Sequence, residues 1–419
     1  MEKYYPKQLI DVNGRQVQHS HYLVVITVIC FIAYVLVSMD TAMFGVAIPE
    51  MAKEPYFNLG TLGVIASISF IPIVLGGLIS GPIADRFGRK RTIQGILLTV
   101  GLFCGLTAIV TKAWQLLVVR FLGGAGLAEG PLGNTLVSEE APDQYRGRMV
   151  GITQAGYPVG AALAGMLGAL ILPHHGWRLL FVFAFVPILV IIVMMRYMRE
   201  PPAAARAIEA KKNRKRELEW KTLFRAEDRK QTIALFIFCL FEFPSIPLIV
   251  LFAVSFLTDA KGVSIGQAAL WFAIIQWAAL ASQVITGFLS DKIPAKILVV
   301  IWAILGGLGL ILAAWGPTPT LAIAGLAGYT IFGQGLWGCF PRYIADSYNA
   351  DIRATAMTFF VAVGNSSFLW IPALAGFVIA AHHGTLLFAL TGVAVLIAAL
   401  VLMAAGRSIR LPETTVAAG

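Results

Sequence analysis

Apolar residues fall along this chain in windows of about twenty, the length an α-helix needs to cross the ~30 Å hydrocarbon core of a bilayer. In order the windows cover 22–48, 58–82, 93–111, 114–138, 149–172 and 177–196, then 232–258, 264–290, 297–316, 319–343, 354–380 and 384–405. Residues 22–39 and 149–172 hold no charged side chain at all. A basic polar stretch, 197–231, separates the two sets. The pattern predicts an all-α membrane protein with twelve transmembrane helices in two pseudo-symmetric six-helix bundles. The expected organisation is an N-terminal tail over 1–21, a first bundle over 22–196, a linker over 197–231, a second bundle over 232–405 and a tail over 406–419.

Composition agrees with this pattern. Charged residues make up 13% of the chain against roughly 25% in soluble domains, so most of the surface faces something other than water. The 41 glycines and 20 prolines, many inside the apolar windows, suit membrane helices, where neighbours re-satisfy freed backbone groups and small residues permit close packing. Cys30, Cys104, Cys239 and Cys339 all fall inside apolar windows and read as small core residues, without disulfide or metal spacing. The polar N-terminus lacks the form of a cleavable signal.

The position of the charges matters more than their +10 sum. With both termini inside, the outer loops keep only Lys53, Lys112, Arg178 and Lys261, and nearly all other Lys and Arg fall on the inner side, as the positive-inside rule requires. The run Lys211, Lys212, Arg214, Lys215 and Arg216 reads as a solvated face, with contact to anionic lipid headgroups as the alternative. Nucleic acid is not an expected partner. The halves also repeat. Gly81–Asp85 (GPIAD) recurs as Gly287–Asp291 (GFLSD) at an offset of 206, and His174-His175-Gly176 recurs as His382-His383-Gly384 at 208. Duplicated halves around a shared site are a transporter architecture.

The sharpest motif is GPIADRFGRKR, Gly81 to Arg91, at the inner end of the second window. Through Gly81, Asp85, Arg86, Gly88, Arg89 and Lys90, the chain resembles the major facilitator superfamily. Gly287, Asp291 and Lys292 form the weaker second copy. The resemblance implies a gating role for Asp85 and Arg89. Asp85 has two physical readings, pairing with Arg89 or capping a helix N-terminus, where a carboxylate is favoured; for Arg91 the positive-inside rule suffices.

Four ionisable residues lie inside the windows: Asp40, Arg120, Glu129 and Glu242. Each is a functional candidate because charge in a membrane is costly. Asp40 and Arg120 lie at similar depth from the outer helix ends, and the resemblance places their helices side by side, so an ion pair is expected, working or purely structural. Glu129 follows Arg120 by nine residues, which puts the two on opposite faces of one helix; it is either a direct participant or an interhelical hydrogen-bonding group. Glu242 sits near mid-depth beside Pro244 and Pro247, which are expected to kink its helix. Burial there penalises the charged form, the property a proton carrier requires. Asp40, Glu242 and Glu129 are therefore the candidate proton-coupling residues.

Uncharged polar and aromatic residues at middle depth complete a candidate substrate site with Arg120: Gln154, Tyr157, Gln276, Gln334, Asn365 and Trp370. Each alone is as readily interhelical glue. The paired histidines sit at outer helix ends and echo the duplication; no metal and no cofactor are expected. No nucleotide-binding loop GxxxxGK[ST] is present. The runs Met39–Pro49 and Arg120–Asn134 are similar to those of proton symporters for organic anions, although Val37 and Ser38 replace the first two positions of the Asp-Gly-x-Asp pattern that aromatic-acid carriers show. The resulting expectation is no enzyme but a proton-coupled symporter of a small carboxylate, working as a monomer in a bacterial inner membrane. The alternatives are a proton-driven exporter of drugs or metabolites on the same fold, or a transporter-like sensor that moves nothing.

Overall fold

The computed structural model describes residues 9–10, 16–17, 19–72, 89–124, 133–134, 136–137, 141, 143–197, 220–349 and 352–407. Apart from a two-residue strand pair, Leu9–Ile10 with Gln16–Val17, every regular element among them is helical. The chain divides into two compact units, Met1–Arg216 and Glu217–Gly419.

The first unit contains α1 (His19–Met51), α2 (Leu59–Ser69), α3 (Arg89–Leu106), α4 (Ala113–Gly123), α5 (Asp143–Gln154), α6 (Gly156–Val182) and α7 (Val186–Tyr197). The second contains α8 (Arg229–Glu242), α9 (Ser245–Asp259), α10 (Ile265–Leu289), α11 (Ala295–Trp315), α12 (Pro319–Tyr329), α13 (Phe340–Ser347), α14 (Arg353–Asn365), α15 (Ile371–Ala380) and α16 (Gly384–Ala405). Among the described residues, eight helical stretches are long and apolar enough to cross a membrane, and α2 and α4 are shorter apolar helices. One stretch, Arg148–Met194, runs for 47 residues. Straight, it would be about 70 Å long, over twice the hydrocarbon thickness. Gly176 breaks it, with φ of 70°. A Cβ there would meet nothing within 4 Å, so the left-handed backbone, not crowding, calls for glycine. His382, at the 206-residue offset, also has positive φ, 62°.

Small residues set the packing inside each unit. In the first, α1 lies along α6: Ser38 Oγ donates to Gly156 O at 3.3 Å, and a Cβ on Gly160 would lie 2.2 Å from Val35 O. In the second, α11 packs on α12 and α16; a Cβ on Gly307 would come within 2.9 Å of Gly392 O. Where no hydrophobic gain separates lipid from protein contact, such close approach is what holds helices together.

The polar composition of 197–231 hid the start of the second unit. A 3-10 turn, Trp220–Phe224, and the first turn of α8 both lie in what reads as linker. Asp228 and Gln231 are buried there by partners far along the chain: Arg407 Nη1 lies 2.8 Å from Asp228, and Gln231 Nε2 donates to Tyr343 Oη and Ser347 Oγ.

At one end of the first unit, Glu54 collects three segments. Both terminal guanidinium nitrogens of Arg178 bond its carboxylate, Trp177 Nε1 donates to it at 2.9 Å, and Arg178 Nη2 also reaches Val110 O. The Arg178 hydrogen bonds, opposed by partial burial and joined by that of Trp177, hold the Glu54 carboxyl below its ordinary range. A lowered carboxyl value stabilises the fold above the ordinary value near 4.5, and that contribution disappears as pH falls through the lowered value. Glu54→Gln is therefore expected to melt a few degrees below the parent at pH 7, with the gap closing below pH 4.5 in a melting-temperature series against pH. A gap independent of pH would show that the carboxylate charge plays no part.

Candidate functional site

The first unit brings Asp40 and Arg120 together. Asp40 stands on α1 and Arg120 in the last turn of α4. Arg120 Nη1 donates to Asp40 Oδ1 at 3.0 Å and to Oδ2 at 3.1 Å. Each residue is 6% exposed. One nitrogen thus spans both carboxylate oxygens, and the other edge of the guanidinium, Nε with Nη2, is not committed to Asp40. Nε is buried and has no hydrogen-bond partner among the described residues. An unmet donor on a buried cation is costly, and a planar guanidinium edge matches a carboxylate with two parallel hydrogen bonds.

Three further side chains enclose this pair, and none stands out as a site residue in the sequence. The Phe44 ring lies with its centroid 4.6 Å from Arg120 Cζ, and that of Phe181 at 6.0 Å. The buried Cys104 thiol lies beside both partners. Phe44 follows Asp40 by four residues, one turn along the same helix face, and that spacing was the available signal. Phe181 and Cys104 carry none, because they look like any apolar core residue.

In the second unit, α8 ends at Glu242, and the chain restarts as α9 after Phe243 and Pro244. The sequence predicts a kink from Pro244 and Pro247; the interruption falls at Phe243 and Pro244, and Pro247 lies within α9. Glu242 is fully buried, and neither carboxyl oxygen has a hydrogen-bond partner among the described residues. Among the described residues, Gln276 on α10 is also fully buried with both amide atoms unpartnered, and Gln334 is 4% exposed with its Nε2 unpartnered. Gln334 closes a π-helical turn, Thr330–Gln334, which a 3-10 turn, Gly335–Gly338, follows. Such irregular turns in a helix often mark functional positions. Ser245 bonds Tyr329 Oη and the Glu242 carbonyl, and Phe243 packs on Trp337 at 5.1 Å. The break in α8–α9 and the irregular turns after α12 therefore meet.

The other predicted residues lie elsewhere. Gln154 is exposed at the end of α5, and Tyr157 is half-buried beside Tyr34 at 6.0 Å. Asn365 and Trp370 are exposed on either side of a 3-10 turn between α14 and α15. Glu129, Gly81, Asp85, Arg86 and Gly88 lie outside the described residues, as does the side chain of Arg89. Arg89 and Lys90 open α3. In the second copy of the motif, Asp291 accepts from Arg342 Nη1 at 2.6 Å, and Arg342 also reaches Asp346. Among the described residues, no group of three or more His, Cys, Asp or Glu is placed to hold a metal ion.

A sequence model of the Major Facilitator Superfamily matches residues 30–252 and 233–417. The 4-hydroxybenzoate transporter PcaK of Pseudomonas putida is 29% identical over 82% of this chain and 84% of its own length. The gallate transporter of the same organism is 25% identical over 91% of this chain and 92% of its own length. The cis,cis-muconate transport protein of Acinetobacter baylyi is 26% identical over 87% of this chain and 90% of its own length. Among solved structures, a D-xylose-proton symporter superposes with a TM-score of 0.77 at 19% identity, covering 92% of this chain and 98% of that one; at that identity the likeness concerns the fold.

Proposed function

The chain belongs to the Major Facilitator Superfamily, a multi-pass membrane transporter family, and on that premise we propose that it carries a small organic carboxylate together with a proton by alternating access. One observation carries the reading: Arg120 is a buried cation that gives Asp40 a single nitrogen, while its Nε has no hydrogen-bond partner among the described residues. The Nε edge is where the substrate carboxylate docks. Two carboxylates on one guanidinium cannot both stay ionised at low cost. Anion binding therefore favours proton uptake by Asp40, and a protonated Asp40 favours anion binding, because coupling between two sites is reciprocal. Uphill import then draws on the proton gradient. Aromatic and dicarboxylic acids are the substrate class suggested by the names of the relatives. Gln154 and Tyr157 in the first unit, and Gln276, Gln334, Asn365 and Trp370 in the second, are the further polar and aromatic residues proposed for substrate contact. Glu242 is the second candidate proton site: an unpaired buried carboxylate is costly and its neutral form removes that cost.

In the same reading the chain has twelve transmembrane helices, with bundles over 22–196 and 232–405. It works as a monomer among the lipids of a bacterial inner membrane, its basic inner loops solvated. Both termini and residues 197–231 face the cytoplasm. The four native cysteines are buried, so a Lys212→Cys protein is expected to resist an impermeant thiol reagent in intact cells and to react after lysis. Labelling from outside would reverse the orientation. The substrate class is tested by a thermal-shift screen of purified protein against carboxylates, sugars and cationic drugs, since a ligand that binds the folded state raises its apparent stability. Stabilisation by 4-hydroxybenzoate, gallate or muconate is the expected result; stabilisation by cationic drugs alone would favour an exporter.

A further inference from the structure

The edges of the Arg120 guanidinium have assignments, Nη1 to Asp40 and Nε to the incoming anion, but its faces do not. In the interval when Asp40 has taken its proton and the anion has not yet docked, Arg120 is a buried cation with no anionic partner among the described residues. A free cation in a membrane protein interior is costly unless something compensates it. Left alone, it would be drawn toward water and out of register with the substrate. The ring of Phe44 lies 4.6 Å from Arg120 Cζ, and that of Phe181 lies at 6.0 Å. Both distances fall within the ~6 Å over which the negative face of an aromatic ring attracts a cation. Neither ring can wander. Phe44 is 1% exposed and Phe181 fully buried. Phe181 also packs edge-on to Trp177 at 6.0 Å, and Trp177 is fixed by Glu54.

Resting on the anion-binding reading of Arg120, we infer that Phe44, with Phe181 as a second and more distant ring, is a positioning residue. It holds the guanidinium in place by its ring face while the cation changes partner. A ring serves here where a second carboxylate would not. It steadies the cation without competing for its hydrogen-bonding edges and without adding a group that titrates. Asp40, Arg120 and Cys104 are the titratable side chains facing this spot among the described residues.

The test replaces Phe44 by mono-, di- and trifluorophenylalanine, which weaken the negative ring face stepwise at nearly constant shape. Melting temperature is read in three backgrounds: the parent, Asp40→Asn as the mimic of the protonated state, and Arg120→Met. The expected result is a stepwise fall with fluorination, steeper with Asp40→Asn than in the parent and absent with Arg120→Met. The same series is expected to raise the half-saturating concentration of 4-hydroxybenzoate in exchange by about five- to tenfold, with the maximal rate kept. A melting temperature that ignores fluorination, or falls equally with Arg120→Met, would overturn the inference, since the ring would then be plain core packing. If the stepwise fall persists but Arg120→Ala binds the acid normally, the ring–cation contact stands while the anion-binding role of Arg120, and with it the positioning role of Phe44, fails.

Discussion

Arg120→Ala is expected to lower affinity for an acidic substrate by roughly a hundredfold or more, the scale on which removing one partner of a buried, hydrogen-bonded charge pair acts. The same change strands Asp40 as a buried carboxylate without its cation, a cost of about 3–5 kcal/mol, so weaker folding would accompany it. The Arg120→Ala, Asp40→Asn double variant separates the two effects. It removes the stranded charge and is expected to recover thermal stability without recovering binding. Arg120→Lys is expected to restore binding in part. An ammonium supplies charge, but it cannot span Asp40 with one nitrogen and offer a second, planar edge to the substrate. Isothermal titration with 4-hydroxybenzoate across the set would check this. Unchanged affinity in a folded Arg120→Ala protein would remove the anion reading.

Asp40→Asn is expected to separate transport from its energy source. The amide cannot exchange a proton with the Arg120 site, so accumulation driven by an imposed pH gradient should fall to equilibration. Counterflow exchange of labelled for unlabelled substrate should continue, because Arg120 remains, with an Nε that has no partner among the described residues. Glu242→Gln is the second variant to examine in the same vesicles. The Glu242 carboxyl oxygens have no hydrogen-bond partner among the described residues, and the amide should leave the fold intact. If both variants accumulate substrate normally under the pH gradient, coupling resides at another group or with another ion.

Much of the architecture was legible because the bilayer imposes a simple rule: twenty apolar residues make a crossing. The windows 264–290, 297–316 and 384–405 lie within two residues of helices at Ile265–Leu289, Ala295–Trp315 and Gly384–Ala405. The proximity of Asp40 and Arg120 was legible for a related reason. Counting turns from the outer helix ends gives both a similar depth, the family resemblance places their helices side by side, and an unpaired charge at that depth is costly. The Pro244 break followed from a missing backbone donor. The irregular turns after Tyr329 were not legible, since glycines at 333, 335 and 338 suit close packing as readily as a break in the helix. The enclosure of Arg120 by Phe44 and Phe181 was hidden for a deeper reason. In a chain where apolar side chains face both lipid and core, a ring that steadies a cation is spelled like a ring that fills space. The start of α8 at Arg229 was misplaced because Asp228 and Gln231 read as solvent-facing until Arg407 and Tyr343, more than a hundred residues away, arrive to bury them.

The central claim, that an organic anion and a proton move together, is tested most directly by following both at once. Purified protein is reconstituted in liposomes loaded with the pH dye pyranine, and labelled 4-hydroxybenzoate is added outside with no pH gradient imposed. Arg120→Ala liposomes correct for acid that crosses the lipid unaided. The account predicts label uptake accompanied by acidification of the interior beyond that background, and loss of the acidification in Asp40→Asn liposomes that still exchange substrate. Protein-dependent uptake of the label with no acidification beyond background would contradict it.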